Sequence, residues 1–349
     1  MRRPRLSPDA YRRVTLFALV ALALIVVTGA AVRLTGSGLG CTDWPNCEQG
    51  QLAPSEITDA PAMIEFVNRT ITGVVSVAVI VAVLGSLARV PRRRDLTLLS
   101  LGLVGGVLAQ IVLGGLVVLL DLSPRLVMLH FLVSMGLVAN AAVLHHRAGE
   151  GEGPRRPVVG PSVRSLGRLL IGAATLVLVL GTFVTASGPH AGDEQAERLD
   201  LAVGDVARVH GIAVMLLLAL TLATLWVLHR EGAPPEVHAA ARLLLAVEVA
   251  QGAVGYAQYF SGVPAWLVGV HIVGALAVWL ATIRFDLVLA CPGDDARRGR
   301  APGDGRGHRD GRPLDRPGLE RSDQPDVLRD LRVPEALRLQ PGEGDVAHA

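Results

Sequence analysis

The sequence contains no lysine, so every fixed positive charge is an arginine, and the arginine positions alone map the basic surface. Net charge is only +2, and no nucleic-acid partner is expected. Cysteine is scarce, with three residues in 349, and Cys41 and Cys47 lack the nearby partner ligands that a zinc centre requires. The first apolar run has no A-x-A-like cleavage site and is read as a retained first span, not a signal peptide. Charged residues fall near the ends of the apolar runs, whereas a transporter calls for charges and broken helices at the midplane. Finally, residues 290–349 have no apolar period. They are rich in Arg, Gly, Asp and Pro and are expected to form a disordered cytoplasmic tail.

Long apolar runs are abundant. Hydrophobic residues make up 51% of the chain, and mean hydropathy is +0.45. A bilayer core about 30 Å thick needs about 20 apolar residues as helix. Eight runs qualify, at 14–34, 66–88, 98–120, 125–145, 166–186, 206–228, 240–260 and 265–289. A soluble core would explain one or two of these, so an all-α integral membrane protein is predicted. Arginines cluster at 2–13, 89–94 and 147–168, with Arg230 and Arg242 in a fourth segment. Alternate connections are therefore basic, which places both termini in the cytoplasm and turns 35–64, 121–124, 187–205 and 261–264 outward. Cys41 and Cys47 share the first outward loop. In that oxidising space they form either a disulfide or two free thiols.

The chain also repeats itself. Val32 to Gly38 ends the first span, and Phe183 to His190 ends the fifth. Ala109-Gln110 in the third span answers Ala250-Gln251 in the seventh, and His130 in the fourth answers His271 in the eighth. Four spans per copy make the copies parallel repeats, two tandem four-helix bundles. The expected organisation is a cytoplasmic N-terminus (1–13), a first half (14–145), a cytoplasmic linker (146–165), a second half (166–289) and the tail.

Ionisable residues inside spans are costly and therefore functional candidates. His130, His210 and His271 lie at one depth near the outer surface, and histidines on separate helices at one depth can hold a haem iron. Glu65, Asn68, Arg69 and Thr72 line one helical face. There Glu65 is either half of an interfacial pair with Arg69 or a proton-handling carboxylate. Arg33 and Arg208, near outer span ends, either neutralise haem propionates or snorkel to lipid phosphates. His145, His146, His229 and His238 sit at cytoplasmic ends, where a solvated role is expected.

Over residues 12–288 the chain resembles the haem A synthase family. The resemblance rests on Val32-Arg33-Leu34-Thr35-Gly36-Ser37-Gly38-Leu39-Gly40-Cys41 with Asp43-Trp44-Pro45 and Cys47, on Gln110 to Gly115 before His130, on Val184 to Asp193 before His210-Gly211, and on Gln251-Gly252 with His271. It implies oxidation of the C8 methyl of haem O, the substrate, to the formyl group of haem A for cytochrome oxidase. A haem b cofactor would then lie between His210 and His271. Haem O would occupy the first half, its iron on His130, with Asn68, Arg69, Arg33 and Arg208 around the haems and Glu65 catalytic. The family's outward cysteine pair matches Cys41 and Cys47. The resemblance also implies a plasma-membrane location, with haem O synthase and oxidase assembly factors as partners and homo-oligomers as an option. The chain resembles an actinobacterial-like variant, because Asn68 stands where the family often has a histidine. The competing readings are a b-type cytochrome that only carries electrons and, behind it, a transporter.

Overall fold

A computed structural model describes residues 5–48 and 50–292. Eight long helices dominate it: α1 (Pro8–Leu34), α2 (Ala60–Ala88), α3 (Arg94–Leu119), α4 (Pro124–Ala148), α5 (Pro161–Ser187), α6 (Val203–Glu231), α7 (Pro235–Phe260) and α8 (Ala265–Val288). Each is long and apolar enough to span a membrane. Phe17, Val20 and Leu24 of α1 are about half exposed, and similar residues stud the outer faces of the other helices. A water-soluble fold does not tolerate so much contiguous apolar surface, whereas a bilayer covers it. The protein is an all-α, multi-pass integral membrane protein.

Most helices begin several residues before the apolar runs, because polar caps extend them. The Ser7 side chain accepts from Ala10 N at 3.2 Å ahead of Pro8, and Asp59 Oδ1 accepts from Ala62 N at 3.2 Å. Both satisfy first-turn N–H groups that lack helical partners. Proline also lies in the first turn of α4, α5 and α7, where its missing N–H costs nothing.

Helix contacts repeat the order found in the sequence. In the first half α1 packs on α2, α2 on α3, α3 on α4, and α4 back on α1, closing a four-helix ring. In the second half α5, α6, α7 and α8 close a ring in the same order. The α3–α4 and α7–α8 turns are also alike. Asp121 and Leu122 have φ of 48° and 58°, and Gly262 and Val263 have φ of 78° and 58°. The halves meet through α8, which packs on α1 and α4, and through α4 against α5. Trp279 Nε1 of α8 donates to the Met135 carbonyl of α4 at 2.9 Å.

At the arginine-rich end, the segment between the halves is shorter and more ordered than the 146–165 linker read from the sequence. Its strand β1 (Arg155–Pro157) pairs antiparallel with β2 (Ala290–Pro292), so residues 290–292 form a strand. Arg155 donates to the carbonyls of Leu287 and Ala290 at 2.5 and 2.7 Å, and Arg93 donates to those of Arg147 and Glu150 at 2.9 and 3.0 Å. The expected tail from 293 onward, with His308 and His348, lies outside the described residues.

Candidate functional site

Three imidazoles lie toward the end of the molecule opposite the arginines. His130 is the seventh residue of α4, His210 the eighth of α6 and His271 the seventh of α8. Each faces a glycine on the preceding helix. A Cβ on Gly114 would sit 3.5 Å from His130 Cε1, one on Gly181 3.2 Å from His210 Cε1, and one on Gly255 3.1 Å from His271 Cε1. The glycines thus make room for the rings.

Two glutamines hold the ring-bearing helices in equivalent ways. Gln110 Nε2 donates to the His130 carbonyl at 3.0 Å and also bonds Ser134 Oγ. Gln251 Nε2 donates to the His271 carbonyl at 2.8 Å and lies 3.0 Å from His271 Nδ1. Gln251 therefore fixes the His271 ring as well as its backbone, whereas His130 Nδ1 is buried without a hydrogen-bond partner. Neither glutamine was singled out as a site residue from the sequence, although each precedes its histidine by 20 positions.

Where the family often has a second first-half histidine, Asn68 Oδ1 accepts from Thr28 Oγ1 of α1 at 2.8 Å. The amide braces α2 against α1, and an amide is in any case a poor iron ligand.

Glu65 and Arg69 form a closed network beneath the first loop. Arg69 Nε and Nη2 donate to Glu65 Oε1 at 3.0 and 2.5 Å. Nη1 donates to the carbonyls of Asp43 and Asn46 at 2.9 and 2.8 Å, and Nη2 also reaches that of Cys41 at 3.5 Å. All five guanidinium N–H groups are thereby used, so Arg69 serves the loop and has no donor left for a haem propionate. Glu65 Oε2 accepts from Cys41 N at 2.8 Å. Cys41 and Cys47 are joined by a disulfide and fully buried. Close approach of the loop to α2 needs Gly40, where a Cβ would fall 2.4 Å from Pro61 backbone. From this loop Trp44 packs on Gly115, next to the glycine that faces His130.

The remaining arginines part company. Arg33 Nη2 donates to the Thr185 carbonyl of α5 at 2.7 Å, so it ties the two halves instead of reaching for lipid, and its Nε is buried without a partner. Arg208 pairs only with Asp205 at 3.4 Å, with both side chains about three-quarters exposed at 75% and 74%.

The sequence reading placed no charge at mid-span, but Glu248 lies in the middle of α7, only 6% exposed. One carboxylate inside a helix that is apolar enough to span a membrane does not disturb the hydropathy signal, which is why it escaped notice.

Residues 12–192 match the model of the cytochrome oxidase assembly protein family, COX15-CtaA. The chain belongs to this family. It is 38% identical over 128 residues to a protein named heme A synthase from Lysinibacillus sphaericus, covering 36% of this chain and 40% of that one. A heme A synthase from Exiguobacterium sibiricum is 30% identical over 174 residues, 49% of this chain and 58% of that one. One from Listeria monocytogenes is 31% identical over 127 residues, 36% of this chain and 41% of that one. The chain thus spans roughly half the length of these relatives. Family membership rests on the first half and α5; His210 and His271 lie beyond the family match.

Proposed function

We propose that the protein is a haem A synthase that oxidises the C8 methyl of haem O to a formyl group. The observation that carries this reading is the pair His210 and His271, on separate helices at one depth, each facing a glycine of the preceding helix. The residues fit haem. His210 Nδ1 is buried without a partner, and the rings stand at one depth on neighbouring elements. His210 and His271 would hold a resident haem b, and His130 would hold the iron of the substrate. The haem b would supply one-electron chemistry to the reaction.

This chain's own residues do the rest. Gln251 Nε2 donates to the His271 carbonyl and so fixes the turn of α8 that carries the ring. His130 Nδ1 has no hydrogen-bond partner, and the Asn68 amide of the same half is bonded to Thr28, so the first half offers one free imidazole, which suits a substrate that must enter and leave. Glu65 and Arg69 hold the disulfide loop, so that Trp44 covers α3 beside His130. The same asymmetry speaks against a b-type cytochrome built on this repeat, which predicts a low-spin His/His haem in both halves.

The arginine distribution supports an orientation with both termini in the cytoplasm and the histidines near the outer surface, and the proposed role is one carried out in a plasma membrane. The partners consistent with this role are haem O synthase and oxidase assembly factors. Pigment analysis tests the proposal. Cells supplied with haem O synthase should gain haem A when they express this chain, and haem O left unchanged would overturn it.

A further inference from the structure

Glu248 belongs to none of the machinery described so far. It is 6% exposed between α7 and its neighbours. Its Oε1 lies 2.9 Å from Thr221 Oγ1 of α6, and its Oε2 is buried without a partner. Thr221 Oγ1 also lies 3.1 Å from the Leu217 carbonyl. A threonine hydroxyl has a single hydrogen. Shared between Glu248 Oε1 and the Leu217 carbonyl, that hydrogen leaves Glu248 Oε2 with no donor at all. Three residues along the same face, Gln251 Oε1 is a second buried acceptor without a partner. The site therefore holds acceptors and lacks donors, and a proton is what satisfies it.

No charge nearby compensates an ionised Glu248. From α6 the facing side chain is Thr221, and the nearest titratable group, His210, is eleven residues away. From α8 the nearest is His271, reached through Gln251. On α7 itself the nearest charge is Arg242, six residues away. An isolated carboxylate in such surroundings costs several kcal/mol or more, and the group takes up a proton instead.

We propose that Glu248 is a proton-binding site coupled to the redox state of the haem held by His210 and His271. The inference rests on the haem-binding reading of that pair. With haem bound and oxidised, its positive charge would hold Glu248 ionised; on reduction that charge would be lost, and one proton from solvent would form the O–H bond at Glu248 for each electron gained, to be released again on oxidation. Gln251, three residues from Glu248 on α7, bonds His271 and is the nearest link from the carboxyl to that ring, and Thr221 orients the carboxyl.

The test is a reductive titration of the full-length, haem-loaded protein in detergent, with dithionite as electron source and the visible spectrum as readout, repeated across neutral pH. The midpoint potential of the wild type should fall with rising pH by close to one proton per electron. Glu248→Gln should keep the haem content and spectrum and lose the slope, and Thr221→Val should move the pH region of the slope. A flat wild-type potential, or a slope that survives in Glu248→Gln, overturns the inference alone. A protein that carries no haem overturns it together with the proposed function. If Glu248→Gln fails to accumulate, the infrared carboxyl band of the wild type decides: a protonated carboxyl that responds to reduction supports the site, and its absence refutes it.

Discussion

Gln251 touches the His271 ring, while Gln110 touches only backbone and Ser134 on its own target helix. Removing the support of an iron-ligating imidazole usually costs about 10–100-fold in affinity. Gln251→Ala should therefore weaken haem retention in the second half by about that factor, as read from pigment content after detergent washing. Gln110→Ala should leave second-half haem unchanged. Asn68→His tests the other half. A second imidazole opposite His130 should convert transient binding into tight, six-coordinate binding, visible as added low-spin haem and slower conversion of haem O. The histidines were legible in the sequence because an ionisable group inside an apolar run stands out. The clamp of Gln251 on its neighbour was not, because a glutamine in a helix gives no sign of which ring it meets.

At the scale of elements, the first loop and α2 act together. Glu65 is buried, and its ion pair with Arg69 is partly shielded. Breaking a buried pair on one side leaves an uncompensated charge, at a cost of about 3–5 kcal/mol. Arg69→Gln should cost toward the lower end of that range, because Arg69 is partly exposed, and should free the loop. The expected signs are a lower thermal midpoint and faster reduction of the Cys41–Cys47 bond by a mild thiol. The sequence placed Glu65 and Arg69 on one face, but the carbonyls of Asp43 and Asn46 that use up the arginine come from a loop without periodicity. Helix identity was legible everywhere, since hydropathy dictates it. Helix starts were not, because Ser7 and Asp59 cap the chain ahead of the apolar residues.

For the whole molecule, the repeat read from matched motifs returns as two rings of helices with the same contact order. The join between the rings was not readable. It depends on Trp279, Arg33 and the β1–β2 pairing, which have no counterpart in the repeat. At the arginine-rich end Glu150 is bonded to His146 at 3.2 Å and Arg155 at 3.3 Å. Burial alone would raise its pKa, but His146, Arg155 and Arg93 together hold it below the usual glutamate range. A carboxyl with a depressed folded pKa stabilises the fold above its unfolded pKa, and this contribution fades as pH falls through the folded value. Thermal stability should therefore drop in that acid range, and Glu150→Gln should flatten the dependence there. Trp279→Phe removes one buried hydrogen bond between the halves and should cost about 1–3 kcal/mol in detergent.

The Trp279–Met135 bond has a kinetic meaning as well. It grips α4 five residues after His130 and α8 eight residues after His271, so the helices that carry the two imidazoles are joined at neighbouring turns. Electron tunnelling decays exponentially with separation. Under the proposed function, haems on His130 and His271 would ride on helices pinned in this way, and the bond would keep their separation nearly constant.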